Sequence, residues 1–363
     1  MNSVRRRFVV AARSDAAAML RRAPTLAARF RRSITTSPLP NGPSHFGAVV
    51  SDCDLVEALH CSETVAKLHS LLYEHGLLLF RNHDHITPAD ELAFAMKFNH
   101  QPDGDAMGYT GGAAAQPQLP EHPGVALVGT YDLRKQPFYG STAVSRGVYT
   151  DWHPDQRAWH NDGFADTSPP PDLTTMRCVK TPSSGGQTLF ACSRMAASLL
   201  PDSLDPPPED VRVRYKLFAK AEIALEGTHL LKAEGAKGEE EDTAQLVNNA
   251  GGTEWPLVVK EAVSGKRSMV GSYHVAGLVD TRTDAVFGFD AANQYLKKAW
   301  APGLADDLVY AHSWEVGDIV AWSNRLVIHT ATSTAKYPEG AERLHTRIRM
   351  RSTEAHKPLA WRE

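Results

Sequence analysis

Residues 159–190, WHNDGFADTSPPPDLTTMRCVKTPSSGGQTLF, join a His-x-Asp pair to a proline run, a β-prone stretch and a Gly-Gly turn. On a strand, His160 and Asp162 share a face, because side chains repeat every second residue. Such a pair can hold two positions of a metal ion from one segment. A near copy, Trp152-His153-Pro154-Asp155, lies seven residues upstream. With 16 histidines in the chain, about one His-x-Asp is expected by chance. The pair decides nothing until a third ligand and a surrounding fold are found.

The third ligand is sought in GDIVAWSNRLVIHTATS (317–333). There Leu326, Val327 and Ile328 lead into His329, read as the last residue of a buried strand. The alternative is a core histidine bonded to a backbone carbonyl. Two imidazoles and one carboxylate on one face of a metal leave its other positions for a chelating cosubstrate and dioxygen, as in non-heme Fe(II) oxygenases.

Outward from these segments, the pattern predicts a mainly β protein. The runs LTTMRCV, TLFAC, WPLVVKEAV, SMVGSYHV, DIVAW, LVIHT and RLHTRIRM read as short strands, many separated by turns such as SSGG, VSGK and EVGD. SETVAKLHSLLYEH (62–75) reads as a helix capped by Ser62, with Val65, Leu68, Leu71 and Leu72 on one face and Gly76 at its end. LLLF (77–80) follows as a buried strand. A second helix starts at Thr87, with Pro88 in its first turn and Asp90 three residues after the cap. Residues 104–155 read as loop, and 232–245, polar and acidic, as a surface insertion. Many short strands with few helices predict a β-sandwich or barrel braced by helices, in one domain from 38 to 363.

Composition bounds the function classes. The chain is 42% hydrophobic and 22% charged, with no apolar run near the ~18 residues a membrane span needs. Four scattered cysteines, Cys53, Cys61, Cys178 and Cys192, form neither a disulfide framework nor paired zinc knuckles. Residues 1–37 carry nine arginines against one aspartate, the composition of an organellar transit peptide. The expected location is the mitochondrial matrix, or the cytoplasm if this arm is not a transit peptide. Because the chain's net charge is −3, the remainder carries −11. So acidic a body lacks the footprint of a nucleic-acid binder. The expected partner is a small-molecule substrate, and a homo-oligomer is compatible with the sequence.

The segment WHNDG…PPP…GGQT resembles the signature of the taurine dioxygenase family of Fe(II)/2-oxoglutarate-dependent oxygenases. The resemblance runs upstream through LLYEHGLLLFRNHDHITPADELAFAMKF and downstream through WPLVVKEAVSGKRSMV to WEVGDIVAWSNRLVIHT and ERLHTRIRM, covering about 50–352. In the family, the threonine of the Gly-Gly-x-Thr turn follows the metal histidine by a little under thirty residues. Thr188 follows His160 by 28 and His153 by 35, so the resemblance makes WHNDG the metal motif and leaves His153 and Asp155 to loop or entrance.

The resemblance implies a double-stranded β-helix, a clavaminate synthase-like jelly roll, with His160, Asp162 and His329 as iron ligands. It places Thr188 and Arg343 on the distal carboxylate of 2-oxoglutarate, which a planar guanidinium suits. Retention of Asp162 implies oxygenation, since halogenating relatives lack that carboxylate. The interval from His329 to Arg343 is slightly longer than usual. Arg343, Arg347, Arg349 and Arg351 alternate along one strand face, and the resemblance marks Arg347 for a substrate anion. Trp322, Asn324 and Arg325 are expected to pack or orient the site, while His100, Tyr109 and Tyr273 lie in blocks that flank the pocket in relatives. Asn161, Gly163 and the long 104–155 segment point to a substrate unlike taurine. The implied activity is hydroxylation of an unactivated C–H bond in a small, anionic substrate, with O2 consumed and succinate and CO2 released. Two other readings stay open: a silent jelly roll that binds a small ligand, and a zinc hydrolase using the same three ligands.

Overall fold

Four leucine and phenylalanine residues set the first layer. Leu77–Phe80 are wholly buried as one strand, each side chain contributing about 1.5–3 kcal/mol by leaving water. The helix before them, Ser62–His75, buries Leu68, Leu72 and Tyr73, with Val65 and Leu71 half-buried. Gly76, at φ +80°, ends it in the left-handed region that glycine adopts freely. Its cap is Cys61 rather than Ser62, which is the first helical residue. The helix Pro88–Phe98 starts as its sequence predicts: the Thr87 hydroxyl accepts from the Asp90 amide at 3.2 Å, and the Asp90 carboxylate accepts from the Thr87 amide at 3.0 Å.

The computed structural model describes residues 34–99, 106–107, 117–146, 159–165, 168–216, 252–273, 275–332 and 337–362. The acidic insertion at 232–245 and most of the basic arm lie outside them. The last residues of that arm, Thr35–Ser37 (β1), pair with Ala48–Ser51 (β2). No helix among the described residues is long and apolar enough to cross a membrane.

β2 runs parallel to Leu77–Phe80 (β3), and every further pairing in this sheet is antiparallel. The order continues from β3 through Ile319–Ser323, Leu173–Lys180, Arg343–Met350, His122–Asp132 and Gln118–Leu119. In chain order the added strands are β4 (Ala106–Met107), β5 (Gln118–Leu119), β6 (His122–Asp132), β7 (Val144–Arg146), β8 (Leu173–Lys180), β17 (Ile319–Ser323) and β19 (Arg343–Met350). A second, smaller sheet is β16 (Val309–His312), β9 (Thr188–Cys192) and β18 (Val327–Ala331), with β9 in the middle. The two sheets make the double-stranded β-helix. A third layer comes from β10 (Val211–Lys216), β11 (Gly252–Pro256), β14 (Gly277–Asp280) and β15 (Ala285–Phe287), beside β12 (Val258–Lys260), β13 (Arg267–Met269) and β20 (Leu359–Ala360).

Two cores result. One joins the helices to the large sheet; the other packs the small sheet and Trp159, Phe164 and Ile328 against the third layer. Two elements depart from expectation. The segment 104–155 is not simply loop: β6 is eleven residues long and lies inside the large sheet, Val125–Val128 being buried because both faces of that strand are covered. The helix Phe289–Trp300 was not anticipated, although Ala292, Leu296 and Ala299 repeat at helical spacing and bury one face.

Candidate active site

His160 and His329 are brought together by backbone. Each donates its amide to the other's carbonyl, at 2.9 and 3.1 Å, so His160 extends the small sheet beside β18. A pair that exchanges both hydrogen bonds projects its side chains to one side, and the two imidazole centroids lie 4.3 Å apart. His329 is the third residue of a five-residue strand rather than its last. Asp162 follows on the turn after His160. Its Oδ1 is 3.9 Å from His160 Nε2, and its Oδ2 is 3.9 Å from His329 Nε2. Among the described residues, these three form a group whose candidate ligand atoms all lie within 4.8 Å of one another.

The segment between the ligands is locked from below. Asn161 donates its side-chain amide to the carbonyls of Asn324 (3.0 Å) and Val327 (2.9 Å) and accepts from the Gly271 amide at 3.1 Å. Asn324 accepts from the Asp162 amide at 2.7 Å and donates to the Asp162 carbonyl at 2.6 Å. Asn161 therefore holds β18 in place instead of facing a substrate. Trp322 packs edge-on to the His329 ring at 5.0 Å, and buried Arg325 reaches Ser352 at 2.8 Å. Of the three residues expected to pack or orient the site, Asn324 binds the Asp162 backbone and Trp322 packs on His329, while Arg325 is held at Ser352.

Asp162 is the electrostatic centre. Burial pushes its carboxyl up, but the Arg347 guanidinium, His329, Arg349 and His160 together hold it well below the usual carboxylate range. Arg347 donates to Oδ1 at 3.0 Å, and the Thr174 hydroxyl to Oδ2 at 3.1 Å. The arginine row is thus no solvated strand face: Arg343 and Arg349 are buried, Arg347 is largely so, and only Arg351 is exposed.

Arg343 and Thr188 meet deeper in the barrel, where an Arg343 terminal nitrogen donates to the Thr188 hydroxyl at 3.1 Å. Gly129, at φ +139°, makes room for this turn of chain, since a Cβ there would collide with the Arg343 carbonyl. The backbone pairing of β19 with β8 shifts register just beyond, between Leu344 and His345. Trp314, which the sequence reading passed over, donates its indole N–H to Thr188 at 3.0 Å. Its signal was the alternation of Tyr310, His312 and Trp314 on one inward face. His100, Tyr109, His153 and Asp155 lie outside the described residues. Tyr273 is half-buried, its backbone amide bonded to the Trp159 carbonyl at 2.8 Å.

Two imidazoles and one carboxylate converging from one side form the donor set of an open first-row metal site. A buried guanidinium with its neighbouring hydroxyl, a few residues deeper, suits a carboxylate. The chain belongs to the taurine catabolism dioxygenase TauD, TfdA family, whose family model matches residues 35–349. Pentalenolactone F synthase of Streptomyces avermitilis is 27% identical over 79% of this chain and 85% of its own length. The alpha-ketoglutarate-dependent 2,4-dichlorophenoxyacetate dioxygenase of Cupriavidus pinatubonensis is 27% identical over 78% and 88%. Among solved structures, AAD-2 in complex with Mn(II) and N-oxalylglycine superposes with a TM-score of 0.61 at 20% identity, over 89% of this chain and 99% of that one. At that identity the likeness carries the fold.

Proposed function

We propose that this protein is an Fe(II)- and 2-oxoglutarate-dependent dioxygenase that hydroxylates an unactivated C–H bond of a small organic anion, releasing succinate and CO2. The observation that carries the reading is the pairing of two sites within one barrel: His160, Asp162 and His329 at its mouth, Arg343 with Thr188 behind them. The named activities of the relatives, one of them on an aryloxyacetate, support it.

His160, Asp162 and His329 would hold the iron, and Arg343 and Thr188 the distal carboxylate of 2-oxoglutarate. Bound there, iron and 2-oxoglutarate would supply the oxidising chemistry, dioxygen being the oxidant and the 2-oxo acid giving up CO2. The chain contributes geometry and charge. The backbone exchange between His160 and His329 holds both imidazoles on one side, and Asn324 fixes the turn that presents Asp162. Arg347 and Arg349, beside the metal carboxylate, favour a substrate carrying negative charge. A silent binder or a zinc hydrolase would leave the buried Arg343–Thr188 pair without a task. The basic arm is read with this activity as a mitochondrial import signal, tested by where a fluorescent fusion of the arm accumulates.

The deciding experiment is an anaerobic titration of the protein with Fe(II) and 2-oxoglutarate, following the visible absorption of the chelate. A band abolished by His160→Ala, and requiring far more cosubstrate in Arg343→Ala, is the expected result. Folded protein that gives no band would move the reading to a silent ligand binder or to another metal. Oxygen uptake and succinate release across a panel of small carboxylates and sulfonates would then define the substrate.

A further inference from the structure

One buried polar side chain near the Arg343–Thr188 pair has no partner. His345 is fully buried, and neither ring nitrogen has a hydrogen-bond partner among the described residues. Leaving such a group unpaired costs on the order of 1–3 kcal/mol, so it ordinarily signals a role or a missing partner. Its neighbour His312 shows the contrast, lying between the Tyr310 hydroxyl at 2.8 Å and the Asp318 carboxylate at 3.2 Å.

The groups around His345 are rich in donors. Its ring stands edge-on to Trp314, with centroids 4.5 Å apart. Trp314 and Arg343 both donate to the Thr188 oxygen. A hydroxyl has two acceptor lone pairs and one proton. With both lone pairs engaged, Thr188 can only donate onward. Arg343 Nε is also buried without a partner among the described residues. Three groups at one end of the barrel therefore hold donors in surplus, and among the described residues no buried acid bonds any of them. Burial, then the nearby Arg343 charge and His312, push the His345 imidazole well below its ordinary range. It is accordingly neutral, with one N–H to give.

We infer that His345 is a third donor to the distal carboxylate of the cosubstrate, giving its ring N–H to an oxygen that Arg343 and Thr188 also hold. This rests on the proposed function and adds a positioning role for a residue that the family resemblance did not single out. One more hydrogen bond to a charged group is worth about tenfold or more in affinity.

The test separates a bond to that carboxylate from a general loss of packing. Full-length protein loaded with Fe(II) is titrated anaerobically with 2-oxoglutarate and with 2-oxopentanoate, which keeps the chelating end and chain length but lacks the distal carboxylate. In His345→Leu, the dissociation constant for 2-oxoglutarate should rise about tenfold or more, while that for 2-oxopentanoate stays within about twofold. His345→Gln, which restores an N–H donor, should recover most of the loss. Thermal unfolding of the leucine variant should come no earlier than wild type, because an orphaned polar group has been removed. If that variant does not fold, His345→Met carries the same comparison in a more adaptable side chain. Wild-type affinity for 2-oxoglutarate in the apolar variant, or parallel weakening of both ligands, overturns the inference and makes His345 a core residue. Wild-type protein that forms no chelate with either ligand would instead overturn the proposed function, and this inference with it.

Discussion

The two ends of the barrel interior are built on opposite principles. At the mouth, the chain's own groups hold the carboxylate ligand: Asn324 binds the Asp162 backbone, Asn161 ties its segment to Val327, and Thr174 and Arg347 hold the Asp162 carboxylate. At the floor, Arg343 Nε and both His345 ring nitrogens have no partner among the described residues. A metal site needs its ligands fixed before the ion arrives, because their geometry sets which positions stay open. An anion pocket keeps its donors unspent, because any internal acceptor would compete with the ligand.

The contrast can be broken most directly at the mouth. His160→Ala should abolish metal binding and turnover, yet leave thermal stability close to wild type, since its backbone exchange with His329 persists. A large drop in unfolding temperature would mean that the imidazole also holds the fold. At the floor, Arg343→Ala should raise the KM for 2-oxoglutarate by on the order of a hundredfold, with Fe(II) affinity unchanged by calorimetry. Equal losses in both would show that the two ends are not separable.

Asn324→Ala removes the clamp rather than a ligand. Metal affinity should fall about 10- to 100-fold, as for other groups that orient metal ligands, together with a lower unfolding temperature. Retained metal affinity would show that Asn161 alone suffices. The smallest effect is expected from Thr188→Val, which keeps the shape and loses the hydroxyl. Cosubstrate should bind about five- to tenfold more weakly, the order of one hydrogen bond, and metal affinity should not move.

Much of the site was legible in the sequence because its parts are local. His160 and Asp162 are two residues apart, the β-branched run before His329 pointed to that residue, and the resemblance to the taurine dioxygenase family supplied Thr188 and Arg343. The helices at Ser62 and Thr87 were readable from capping and apolar spacing, apart from the shift of the first cap to Cys61. What escaped was non-local. β6 looked like loop because its pairing partners, β19 and β5, reveal it as an inner strand only once the sheet is assembled. Asn161 was read as a sign of the substrate because nothing nearby announces the carbonyls of Asn324 and Val327 that it binds.

The sequence by itself determined which residue types were available: a ligand pair at strand spacing, a β-branched run ending near a histidine, and a row of arginines on alternate positions. Periodicity and local capping act over a few residues, so they survive without a fold. Only the tertiary structure decided how those groups were spent. It turned Arg347 and Arg349 inward against Asp162, brought Trp314 and Arg343 onto Thr188, and left the His345 ring nitrogens without a partner among the described residues. Partnership between polar groups far apart in the chain depends on sheet register and burial, which exist only when the strands have closed on one another.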